Sequence, residues 1–191
     1  MKRIETKESL EKRNSRNKLT ISIVLIGVMF FSVFAYGFMS FERTDENKKV
    51  VYNNYEFVSS GEFWVLNFES VNLVFKYNPE QVESVNVSLK TIENYNQKPL
   101  YIYSEDNQAG AEVYKNIYPF VQRVQEACLT GEVCNNKNLP VKICEDNFII
   151  IKEKSETSIK QEKNCVFIEG KKEDLLKLSD EFLFRVFKIK Q

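Results

Sequence analysis

The residues best able to do chemistry in this chain are four cysteines, Cys128, Cys134, Cys144 and Cys165, because the chain contains no histidine. Without imidazole there is no Ser-His-Asp or Cys-His couple and no His-ligated metal. The cysteines are separated by five, nine and twenty residues. Zinc sites more often pair cysteines about two to four residues apart. A redox CxxC is missing, and a reactive thiol is favoured at a helix N-terminus, whereas Cys128 falls at the end of a predicted helix. Metal binding and thiol catalysis therefore rank below disulfide formation, which an even number of cysteines in an oxidising compartment favours. Of the three connectivities, Cys128–Cys134 with Cys144–Cys165 is preferred: the first closes a small loop, and the second joins the end of one predicted strand to the start of another.

The other chemistries find less support. No glycine-rich phosphate loop of the GxGxxG or GxxxxGK[ST] type is present, and there is no GxSxG elbow. Glu105-Asp106 and Glu145-Asp146 lie in no DxDxDG calcium loop. A glycosidase-like carboxylate pair stays open as a rival, with nothing in the sequence to select it. Aromatic residues crowd 52–77, where sheet core is the commoner use than stacking on sugars or bases. Asn86-Val87-Ser88 is a glycosylation sequon. No catalytic, cofactor-binding or metal-binding residue is assigned, and no cofactor is expected.

Placement matters more than chemistry in this sequence. The chain has 191 residues, with 27 Lys+Arg against 27 Asp+Glu, 43% hydrophobic and 28% charged residues. That is globular composition, and zero net charge argues against a nucleic-acid partner. Abundant lysine and asparagine reflect an AT-rich coding bias and carry no functional weight. Residues 19–41 hold no charge over 23 positions. As a helix they would span about 34 Å, enough for a bilayer core. The 18 residues before them carry seven cations against three acids, and residues 42–49 balance three against three. Cation excess stays inside, so the N-terminus is expected in the cytoplasm. The apolar run is longer than a signal-peptide core, and Ala35-Tyr36-Gly37 lies within it, so an uncleaved signal anchor is preferred. Its small residues never fall four apart, which leaves a tether rather than a helix-pairing motif. Residues 42–191 then carry 20 basic and 24 acidic groups on the outer side.

The elements that must position the cysteines follow from periodicity. Glu62–Phe68 and Val71–Tyr77 alternate as half-buried strands, joined by a tight Glu69-Ser70 link. Ser84–Leu89 reads as a further strand, and Leu100–Tyr103 as another. Val113, Ile117, Val121, Val124 and Cys128 recur at helical spacing, with Pro119 expected to kink or restart that helix. Strands are expected at Pro140–Cys144, Asn147–Lys152 and Cys165–Glu169. A closing helix spans about Lys172–Phe187, its broad apolar face turned to a sheet. The fold class is α/β, with α+β as the alternative: one mixed-sheet domain with two main helices. The organisation is a basic cytoplasmic tail (1–18), a transmembrane helix (19–41), a spacer (42–50) and an extracytoplasmic domain (51–191).

Several short patterns carry a resemblance. They are Tyr52-Asn-Asn-Tyr-Glu-Phe57, Phe75-Lys-Tyr-Asn-Pro79, Leu100-Tyr-Ile102, Pro140-Val-Lys-Ile-Cys144, Asn164-Cys-Val-Phe-Ile168 and Ser179-Asp-Glu-Phe182. Together they resemble small single-span archaeal membrane proteins of no known function, over most of the outer domain. The resemblance implies an anchored, disulfide-bearing module and transfers no catalytic residue. The run of strand (100–103), kinked helix (109–129) and strand (140–144) also resembles a thioredoxin-like core. That family's paired cysteines at the helix start are replaced here by Asn107-Gln108-Ala109-Gly110.

The expected function is a membrane-anchored extracytoplasmic binding or scaffolding module, held to the bilayer through 19–41, with a protein partner in the membrane or envelope. The rival is an extracytoplasmic enzyme, either a carboxylate hydrolase or a thiol-disulfide oxidoreductase without CxxC.

Overall fold

The computed structural model describes residues 18, 20–32, 48–134, 136 and 138–190. Residues 20–32 are helical (α1). Among the described residues no helix is long and apolar enough to cross a membrane. The remaining positions of the expected span, 19 and 33–41, lie outside the described residues, as do positions 1–17 of the tail and 42–47 of the spacer. The chain divides after Glu46, and the unit that begins at Asn47 carries the disulfides and the core described below.

That unit opens with an antiparallel meander of β1 (Lys49–Tyr52), β2 (Tyr55–Ser60), β3 (Phe63–Phe68) and β4 (Val71–Phe75). The first hairpin starts two residues ahead of the expected domain start and was not read from the sequence. Its turn residues Asn53 and Asn54 both have positive φ, as do Glu69 and Ser70 in the β3–β4 turn. Turns of this hand match the twist of the strands they join. Register places Phe57 opposite Leu66 and Leu66 opposite Leu73. These three and Phe75 are buried, so the inner face of the meander is a hydrophobic ladder.

The second sheet has five strands: β5 (Pro99–Ser104), β6 (Arg123–Glu126), β9 (Phe148–Glu153), β10 (Ser158–Glu162) and β11 (Cys165–Gly170), in the order β10-β11-β9-β5-β6. Strands β6, β5, β9 and β11 run parallel, and β10 is antiparallel at one edge. Phe148–Ile151 are buried without alternation, as a parallel strand covered on both faces requires. A two-residue pair, β7 (Cys128–Leu129) with β8 (Val141–Lys142), lies in the β6–β9 connection.

Between the sheets lie α3 (Asn107–Ile117) and α4 (Leu175–Val186); a single turn, α2 (Ile92–Tyr95), precedes β5. Phe184 packs on Phe57 and Phe75 of the meander, with ring centroids 5.9 and 4.8 Å away. On the other side a Cβ placed at Gly170, the end of β11, would meet Leu178 at 2.6 Å. The domain is therefore mixed α/β with two main helices, as expected, but two larger sheets rather than one are present and sandwich the helices.

Three expectations change. The helix expected to run through Cys128 ends at Ile117, followed by a 3-10 turn at Tyr118–Phe120. Pro119 lacks the amide that would continue it. Val124 and Cys128 instead belong to β6 and β7, so the strand–kinked helix–strand run of a thioredoxin-like core is not formed. Ser84–Leu89 is not a ladder strand. Side chains take its backbone groups: Val85 N–H donates to Glu181 Oε1 (3.1 Å) and Arg185 Nη1 donates to Val87 O (3.4 Å). Finally, α4 does not have one apolar face. Ser179, Asp180 and Glu181 are as buried as Phe182 and Leu183, because sheets cover both sides of the helix.

Candidate functional site

The four cysteines form two bridges, Cys128–Cys134 and Cys144–Cys165, with Cα atoms 6.0 and 5.0 Å apart. Neither end of the first is helical: Cys128 opens β7. The second ties the loop after β8 to the first residue of β11, where Cys165 packs with Tyr101, Ala127, Phe148 and Ile150. No cysteine is free, so none offers a thiol for redox work or metal ligation. Among the described residues no cluster of metal-ligating side chains occurs.

The acidic pairs noted in the sequence have local duties. Asp106 caps α3 by accepting from Ala109 N–H at 2.8 Å, and Glu105 accepts from Glu153 N–H at 2.8 Å. Glu145 pairs with Lys163, and Asp146 with Lys142.

A different set of carboxylates does converge, and sequence reasoning missed it. Glu112 and Asn116 on α3 and Asp180 on α4 reach the outer edge of β4. Val74 N–H donates to Asn116 Oδ1 (2.8 Å), Lys76 N–H to Glu112 Oε1 (2.8 Å) and Tyr77 N–H to Asp180 Oδ2 (2.9 Å). Asn116 returns an amide proton to Val74 O at 2.9 Å. The helices thus supply the partners that a fifth strand would have given. Lys115 balances Glu112 at 2.7 Å. Asp180 is fully buried, and burial followed by the neighbouring Glu112 charge pushes its carboxyl well above the ordinary range. A carboxyl taken out of water beside a second acid is shifted towards its neutral form. Both carboxylates are buried and serve to fix β4.

A pH-dependence follows. Because the folded value lies above the unfolded 3.8, the native state holds a proton that the unfolded chain releases. Stability from this group is complete below the unfolded value and is lost as pH rises through the folded one. Asp180→Asn keeps the acceptor for Tyr77 and removes the titrating group. Urea unfolding from pH 4 upward should show the variant gaining on the native chain as pH rises, by at most about 1.4 kcal/mol per pH unit. Parallel curves would mean that Asp180 does not hold a proton.

A cleft of about 540 Å³ opens at the carboxyl ends of β5 and β6. Ile102, Tyr103 and Ser104 contribute from β5, and Val124, Gln125 and Glu126 from β6. Asn107, Gly110, Ala111 and Tyr114 form the wall given by the first half of α3, and Asn136 with Leu139 closes the far side. The place follows from topology. From β5 the chain passes into α3, on the face that meets the meander. From β6 it passes to the opposite face, into the disulfide-bearing connection. Where two neighbouring strands send their connections to opposite faces, a crevice opens beyond their carboxyl ends, and α/β sheets hold ligands there.

Local packing sets its shape. A Cβ at Gly110 would stand 2.9 Å from Ser104 Cβ, so α3 presses directly on the end of β5. One residue on, Ala111 is exposed and leaves room over β6. Tyr114 stacks on Tyr118 at 5.3 Å, extending the wall outward. The Cys128–Cys134 bridge closes the start of the connection that carries Asn136. Among the described lining residues Glu126 carries the single formal charge; Asn107, Gln125 and Asn136 offer neutral amides above an apolar floor of Ile102, Val124 and Leu139. This surface suits an uncharged ligand with amide or hydroxyl groups and offers nothing to neutralise a phosphate.

Comparison with protein-family models, with curated proteins and with solved structures finds no match.

Proposed function

We propose that this protein is a membrane-anchored extracytoplasmic binding module whose ligand seat is the cleft beyond β5 and β6. The observation that carries the binding reading is the cleft itself: preformed, lined by neutral donors and acceptors over an apolar floor, and placed at a topological switch point. Anchoring through 19–41, with the N-terminus inside, is supported by the uncharged run and the cation excess ahead of it. Two disulfides are consistent with a domain matured in an oxidising compartment. The partner in this reading is a membrane or envelope component that presents a neutral amide- or hydroxyl-rich group to the cleft.

The test uses the full chain. After alkaline washing of membranes the protein should stay in the pellet, and alkylation under denaturing conditions without reductant should add nothing to its mass. In micelles, titration with neutral sugars and short uncharged peptides should move amide resonances within 104–111 and 124–126. Ala111→Trp, which fills the cleft from an exposed position, should abolish those shifts and leave the unfolding midpoint in place. Shifts scattered over the domain, or shifts that survive Ala111→Trp, would remove the cleft from the proposal.

A further inference from the structure

The segment 82–90 runs from the meander towards α2 outside any strand ladder. From Val85 to Leu89 its side chains alternate in burial. Val82 is buried, and Val85, Val87 and Leu89 pack against the core, while Asn86 and Ser88 are exposed. An extended backbone places residues two apart on the same side, so the Asn86 amide and the Ser88 hydroxyl face outward together.

The anchoring is confined to the inward residues. Glu181 receives the Val85 amide, Arg185 reaches Val87 O, and Lys190 Nζ donates to Val82 O at 2.7 Å. Asn86 and Ser88 make no side-chain hydrogen bond among the described residues. Several other asparagines differ in this respect. Asn116 holds β4, Asn78 caps the 3-10 turn at Pro79–Gln81, and Asn53 donates to Ile189 O at 3.0 Å. Asn86 is thus an asparagine whose amide is unspent, on a backbone held steady from below, with a hydroxyl-bearing residue two positions on. A solvated polar edge would need none of this pairing, and any two polar residues would serve it.

We propose that Asn86 is an N-glycan acceptor, an inference that rests on the extracytoplasmic reading above. In the step required, Asn86 Nδ2 attacks C1 of a sugar carried on a polyprenyl-phosphate lipid donor. The new N–C1 bond forms as the C1–O bond breaks. The lipid phosphate leaves, and the amide proton passes to a base of the transferase; nothing is oxidised or reduced. The glycan would stand clear of the cleft. The Lys90 N–H, four residues further on, donates to Gln161 Oε1 of β10 at 2.7 Å, and β10 is at the opposite end of the sheet from β6.

The test is intact mass of the full chain, purified from the membranes of a host with an N-glycosylation pathway and alkylated under denaturing conditions without reductant. The expected result is an oligosaccharide mass above the 22.5 kDa of the bare chain for the native sequence and for Ser88→Thr, and its loss in Asn86→Gln and Ser88→Ala. Both loss variants alter exposed side chains, so their unfolding midpoints should match that of the enzymatically deglycosylated native chain. A bare mass with no alkyl adducts overturns the glycan and leaves the location standing. A bare mass with four adducts overturns both. A surplus that persists in Asn86→Gln also overturns the assignment.

Discussion

Glu181→Ala should lower the unfolding free energy by about 3–5 kcal/mol, the usual cost of stripping one partner from a buried ion cluster. Glu181 is fully buried and meets Arg185 Nε at 2.7 Å and Lys190 Nζ at 2.9 Å, with Lys190 itself buried. Removal leaves two cations in the interior and takes away the acceptor of the Val85 amide. Replacing Glu181 by Leu together with Lys190 by Met should recover much of the loss, since the uncompensated charge is then gone. Urea unfolding of the two variants beside the native chain checks this. A Glu181→Ala cost below about 1 kcal/mol would place the cluster in water rather than in the core.

Loss of the Cys144–Cys165 bridge should cost about 3 kcal/mol, and loss of Cys128–Cys134 about 2 kcal/mol, from loop-closure entropy alone. The order follows from sequence separations of 21 and 6. The longer bridge should exceed its entropic share, because Cys165 is fully buried beside Phe148 and Ile150 and paired alanines would leave a gap there. Denaturant midpoints of the two double-alanine variants give the ranking. The reverse order would mean that the unfolded chain stays compact around 144–165.

The strands whose burial matches a simple period could be read from the sequence. In β3 and β4 alternation is visible, and in β9 the unbroken Phe148–Ile151 run announces a covered strand. The cysteine pairing was legible too, because a sequence separation of 6 between Cys128 and Cys134 leaves a short loop easy to close. Val121, Val124 and Cys128 misled because their spacing fits a helix that Pro119 does not allow to continue. Ser84–Leu89 misled in the other direction: its alternation is real, but helix side chains rather than a strand satisfy its backbone. The burial of Asp180 and Glu181 was not read from the sequence, although Phe182-Leu183-Phe184, three consecutive apolar residues about 100° apart, already spread the apolar surface of α4 beyond one face. The cleft left no trace in residue types, because it depends on which face of the sheet each connection takes.

The clasp on β4 has a consequence for how copies of this chain could associate. Strand pairing between molecules needs a free edge, and a sheet with two free edges can extend without limit. Here Asn116, Glu112 and Asp180 occupy the outer edge of β4, which among the described residues leaves β1 as the open edge of the meander. An antiparallel β1–β1 contact would be two-fold, use both open edges at once, and offer no site for a third copy. By that route the four-stranded sheet can form a closed pair but cannot seed a filament.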